Sequence, residues 1–144
     1  MSRLQHCGLV VSDLEKSKQF YGSFLGMEEI PRSPTFTFAG AWFVSDGTEI
    51  HMIQAVDTTA PAGFAFPGKG EQTGLATHFA FEVDDLLAMT EKAKAMGFFI
   101  VGGPMGRGDG VHQIYLHDPD LYLIELFQWI DSGEGSSERA AVQS

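Results

Sequence analysis

Two stretches of the chain carry the same succession of hydrophobic patterns. Residues 4–14, LQHCGLVVSDL, hold an apolar run of strand length, after which the period lengthens to that of a helix, with Leu14, Tyr21, Phe24 and Leu25 on one face. Ser12 and Glu15 have the S-x-x-E spacing of a capping box, and Gly26 stands where a left-handed residue would stop the helix. The next segment, TFTFAGAWFVSDGTEIHMIQ, is rich in strand-forming residues, with Asp46-Gly47 as a hairpin signal. Residues 76–86, ATHFAFEVDDL, open the same order again. Asp84 or Asp85 caps a helix carrying Leu86, Met89, Ala93 and Met96, Gly97 ends it, and a β-rich stretch follows with Asp118-Pro119-Asp120 as its turn.

The two stretches align as an internal repeat. His6 matches His78, Val11 matches Val83, Asp13 matches Asp85 and Leu14 matches Leu86, all at an offset of 72. Further on, IHMI at 50–53 matches IELF at 124–127 at an offset of 74, so His51 occupies the place that Glu125 holds in the second copy. Each copy reads as a β-α-β-β-β unit of roughly 50 residues, which makes the chain an α+β protein of two βαβββ modules. The expected organisation is a first module over 1–57, a Gly/Pro-rich linker or flap over 58–74, a second module over 75–130 and a polar tail over 131–144.

Composition narrows the function classes. A chain of 144 residues with 44% hydrophobic residues has enough apolar material for a core. Its net charge of −10 and its lack of any Lys/Arg cluster argue against nucleic acid as a partner. Cys7 is the only cysteine, which excludes an intramolecular disulfide and suits a reducing compartment. No apolar run approaches the ~20 residues of a membrane span, and MSRLQHCG has no signal-peptide core. A cytoplasmic protein with no membrane partner is the expectation.

Against this background two polar residues stand out. His51 sits at the centre of the apolar strand EIHMIQ, and Glu125 lies between Leu123, Ile124, Leu126 and Phe127. A strand histidine alone is ordinarily satisfied by a neighbouring group, but an ionised carboxylate is costly to bury unless it is paired or metal-bound. With one candidate on the first strand and one on the last strand of each repeat, His6, His51, His78 and Glu125 form a donor set suited to one divalent transition metal per site: Zn, Ni, Co, Mn or Fe. Three neutral imidazoles and one carboxylate leave a residual charge of about +1, which favours an anionic substrate oxygen and Lewis-acid chemistry.

Other residues carry two readings each. Glu49 shares strand parity with His51, as a general base at the site or as a strand-edge charge. The segment VGGPMGRGDGVHQ lacks the strand-to-helix context of a phosphate loop; it reads as a hairpin loop in which Arg107 either meets an anionic substrate or lies on a mobile surface. His112 and His117 are expected to be exposed. Phe36, Phe38, Trp42, Phe64 and Phe66 either line an apolar pocket or fill the core.

HCGLVVSDLEKSKQFYGSFLGM and LHDPDLYLIEL, together with the paired modules, resemble the vicinal oxygen chelate superfamily. That group includes glyoxalase I, extradiol dioxygenases, methylmalonyl-CoA epimerase, fosfomycin resistance proteins and bleomycin-binding proteins. The resemblance covers residues 3–129 and implies two modules curled into a half-open barrel around a metal site, with a homodimer as the assembly. Small bacterial glyoxalase I proteins use His and Glu from each module. His6, His78 and Glu125 match that pattern, whereas His51 stands in place of a glutamate and Val10 in place of an arginine that binds glutathione, and both departures weigh against a glutathione substrate. The extradiol and fosfomycin enzymes use His, His and Glu with a tyrosine ten residues before the glutamate, which is the position of Tyr115.

The resemblance therefore implies a metal-dependent lyase or isomerase like glyoxalase I, acting on a small oxygen-chelating substrate through an enediolate-type intermediate. In it Glu125 or Glu49 moves the proton. The alternatives are a mononuclear iron extradiol-type dioxygenase in which Tyr115 donates a hydrogen bond, and a non-catalytic small-molecule binding or resistance protein.

Overall fold

The computed structural model describes residues 1–55 and 77–130. The expected linker, the tail, Phe64 and Phe66 lie outside the described residues. Among those described, one compact unit takes residues 1–55 with 118–122, and the other takes 77–117 with 123–130.

The first unit runs β1 (His6–Val11), α1 (Leu14–Lys18), β2 (Glu28–Ile30), β3 (Gly40–Ser45) and β4 (Thr48–Gln54). The second runs β5 (Phe79–Glu82), α2 (Leu86–Ala95), β6 (Ile100–Gly106), β7 (Val111–His117) and β8 (Leu123–Trp129). Each forms a four-stranded mixed sheet, in the orders β1-β4-β3-β2 and β5-β8-β7-β6. The helical crossover returns the chain so that the first strand lies parallel to the last, while hairpins make the other pairs antiparallel. These are the two βαβββ modules that the hydrophobic pattern predicts.

The repeat holds at the level of single hydrogen-bonded partners. Gly8 pairs with His51 in the first sheet and Ala80 with Glu125 in the second, reproducing the offsets of 72 and 74. Across the hairpin, Trp42 faces His51 and Tyr115 faces Glu125. Asp46 and Gly47, at φ 48° and 79°, form the tight two-residue turn expected there.

The helix starts also repeat, with one correction. The Asp13 carboxylate accepts from Lys16 N, and that of Asp85 from Ala88 N, so Asp13, not Ser12, is the first cap. Ser12 is drawn away: its hydroxyl donates to Asp120 Oδ1 at 2.6 Å. A second contact was not expected from the pattern. Gln54 Oε1 accepts from Leu14 N at 2.9 Å, and Gln128 Oε1 accepts from Leu86 N at 2.8 Å, so the end of each last strand helps to cap each helix. Asp85→Ala or Gln128→Ala is expected to cost about 1 kcal/mol, measured as a shift in the urea midpoint at unchanged slope.

After Lys18, α1 widens into a π-helical segment, Gln19–Phe24, whose Leu25 N donates to Phe20 O, and Gly26 at φ 77° ends it. Phe20, Tyr21 and Phe24 are fully buried against the inner face of the first sheet, which contributes Leu9, Val11, Ala41, Phe43, Ile50 and Met52. In α2 the buried positions are Leu86, Thr90 and Ala93, whereas Met96 is exposed because it lies at the helix end. Residues 35–39 form no strand; β3 begins only at Gly40. β7 and β8 are buried on both faces, so their sequence shows little alternation. His117 is accordingly buried, against the exposure expected of it, while His112 is exposed as expected. No helix among the described residues is long and apolar enough to cross a membrane.

Candidate functional site

In the first unit, the side chains that alternate with the core residues line up on the other face of the sheet. β4 is a central strand, so Glu49 is not an edge charge: its side chain is 20% exposed and its Oε2 lies 2.6 Å from His51 Nε2. That hydrogen bond, followed by one from Gln5, lowers the Glu49 pKa. The His51 ring is sandwiched, with its centroid 4.0 Å from Trp42 on β3 and 4.1 Å from His6 on β1, both nearly parallel. His6 Nδ1 is 2.7 Å from Gln5 Oε1; with the N–H there, Nε2 carries the lone pair. Phe36 packs edge-on against both Trp42 and Phe38, and both phenylalanines are exposed. They therefore lie outside the core.

In the second unit, Glu125 is 3% exposed at the middle of β8. Its Oε2 lies 3.1 Å from His78 Nε2, and its Oε1 accepts from Arg107 Nη1 at 3.0 Å. Tyr115, opposite Glu125 on β7, meets the His78 ring edge-on at 5.6 Å. Burial first, and then the Glu125 charge, raise the Tyr115 pKa, so its phenol stays protonated at neutral pH. Arg107 is also held by Asp109 through Nε and Nη2, and those bonds raise its pKa. The structure thus brings together His6, Glu49 and His51 in one unit, and His78, Tyr115, Arg107 and Glu125 in the other. No cluster of three or more His, Cys, Asp or Glu set to hold a metal ion occurs among the described residues.

A further polar group escaped the sequence reading. Asp118, 2% exposed, accepts from the Tyr21 hydroxyl at 2.6 Å and from the backbone N–H groups of Asp120 and Tyr122. Desolvation outweighs these bonds and pushes its pKa up to about 6. The only sequence signal was the DPD turn, which reveals a bend but not what the bend touches.

The family model for the Glyoxalase/Bleomycin resistance protein/Dioxygenase superfamily matches residues 3–126. The chain belongs to this superfamily. A lactoylglutathione lyase of Neisseria meningitidis is 34% identical, with 88% of this chain and 90% of that protein covered. A crystal structure of a glyoxalase/dioxygenase from Nostoc punctiforme superimposes with a TM-score of 0.72 at 26% identity, covering 88% of this chain and 90% of that one. A variant of the fosfomycin resistance protein FosX from Listeria monocytogenes, complexed with Mn(II) and 1S,2S-dihydroxypropylphosphonic acid, superimposes with a TM-score of 0.66 at 25% identity over 97% and 98% of the two chains.

For a glyoxalase superfamily member the donor chemistry fits a divalent ion best at His78 and Glu125. Donors about 2.0–2.2 Å from one ion, at angles between octahedral and tetrahedral, lie ~3–3.5 Å apart. The His78–Glu125 separation of 3.1 Å falls in that range, and it is also that of an N–H···O hydrogen bond between the two groups. The His51–Glu49 contact of 2.6 Å is instead that of a short charge-assisted hydrogen bond. It is the arrangement in which a carboxylate orients an imidazole through one nitrogen.

Proposed function

We propose that this chain is a metal-dependent lyase or isomerase acting on a small substrate that presents adjacent oxygens. The observation that carries the reading is the buried Glu125 carboxylate beside His78 at the spacing of two donors on one ion. The lactoylglutathione lyase relative and the Mn(II)-bound FosX structure support it. His78 and Glu125 are the donors that stand side by side in the second unit, and His6 and His51 are the further donors that the sequence repeat adds to this reading. A bound divalent ion would polarise the substrate's oxygens as a Lewis acid.

The remaining chemistry belongs to the side chains. Tyr115, with its phenol protonated, donates a hydrogen bond to a substrate oxygen. Glu49, ionised at neutral pH, accepts a proton and orients His51. Val10 stands where the resemblance places an arginine that pairs with a glutathione carboxylate, which weighs against a glutathione adduct as the substrate of this reading.

Protein purified without added ions is expected to carry close to one transition-metal ion per site by elemental analysis, and His78→Ala is expected to lose it. Nickel, cobalt, zinc or manganese without oxygen uptake would sustain the reading. Iron with oxygen consumption on catechols would replace it by a dioxygenase. Metal content unchanged in His78→Ala would overturn it.

A further inference from the structure

Arg107 is bound more tightly than a surface loop residue needs to be. Its Nε donates to both Asp109 oxygens at 3.0 and 3.1 Å, its Nη2 to Asp109 Oδ2 at 2.7 Å, and its Nη1 to Glu125 Oε1 at 3.0 Å. Its guanidinium lies 5.4 Å over the Phe127 ring, and its backbone N–H donates to Val111 O, closing the 107–110 turn. A planar fork held on one edge by Asp109 presents its remaining N–H groups in a fixed direction. Glu125 meets that direction with Oε1, so a rotation of its carboxylate that offered Oε1 elsewhere would break a charge-assisted bond in a buried place.

We propose that Arg107, braced by Asp109, is a positioning residue that holds the Glu125 carboxylate by Oε1 so that Oε2 alone, beside His78, is the metal-binding oxygen. This rests on the metal reading above and adds to it: the arginine sets the mode of carboxylate ligation instead of receiving an anionic substrate. A carboxylate free to turn would bind an ion through two oxygens or lose part of its orientation, and partners of this kind typically change metal affinity by about 10- to 100-fold.

The experiment titrates Co(II) into the full-length wild type, Arg107→Gln, Arg107→Lys, Asp109→Asn and Glu125→Ala, following visible d–d absorption and heat. Arg107→Gln is expected to weaken Co(II) binding about 10- to 100-fold and to change the band intensity, which reports coordination number. Arg107→Lys, which keeps the charge but not the fork, is expected to recover part of the loss, with Asp109→Asn in between. Should Arg107→Gln fail to fold, the lysine and asparagine variants carry the same comparison. If wild type binds Co(II) through Glu125 but the Arg107 variants keep its affinity and spectrum, the positioning role is overturned and the metal reading stands. If wild type and Glu125→Ala bind alike, the metal reading falls, and this inference with it.

Discussion

Glu125→Gln is expected to lower metal affinity by about 100-fold or more, beyond the loss typical of a residue that only supports a ligand. The amide keeps the volume of the side chain, which is 3% exposed, but offers no anionic oxygen to an ion. Its carbonyl can still accept from Arg107 Nη1, and Arg107 keeps its three bonds to Asp109. The metal-free protein therefore stays folded, so the effect separates binding from stability. A ligand at 100 times its dissociation constant stabilises the native state by about 2.7 kcal/mol. Thermal unfolding with and without Co(II) or Zn(II) should show that rise for wild type and its near absence for Glu125→Gln.

The largest effect on stability is expected at Asp118. Asp118→Ala would strand the fully buried Tyr21 hydroxyl and the N–H groups of Asp120 and Tyr122, a cost of about 3 kcal/mol or more. The charge adds a pH dependence with a definite sign. The folded pKa of about 6 lies above the ordinary 3.8, so the native state binds the proton more tightly than the unfolded chain does. The corresponding stability is fully present below about 4 and is lost as pH rises through about 6, in total about 3 kcal/mol. Asp118→Asn, which cannot ionise, removes this term. Wild type should therefore gain stability relative to Asp118→Asn as pH falls from 7 to 4, by urea unfolding at each pH. A flat difference would show that Asp118 has the same pKa in both states.

Features set by chain neighbours and by period were legible in the sequence. Strand-forming residue types, turn signals and helical spacing gave the β-α-β-β-β order of each module, the Asp46-Gly47 turn followed from residue types that tolerate positive φ, and the two offsets matched the strand register residue for residue. Local signals failed where two candidates competed. Ser12 and Asp13 both have cap chemistry, and the choice turned on Asp120, 108 residues away, which takes the serine hydroxyl. Met96 has the right helical phase but lies past the last covered turn, and His117 sits in a strand buried on both faces.

The candidate site divides in the same way. By itself the sequence determined the fold class, the repeat, and the placing of His51 and Glu125 at equivalent points of two sheets, with His6 opening β1 and His78 immediately before β5, because side-chain direction along a strand alternates and a shared register carries it from copy to copy. Only the tertiary structure decided what each of these groups touches: Glu49 on His51, Trp42 and His6 stacked on its two faces, and Arg107 with His78 on the two oxygens of Glu125. Such pairings join separate strands and a hairpin loop, and their energies depend on distances of a few tenths of an ångström and on burial, neither of which is encoded in the spacing of residues along one strand.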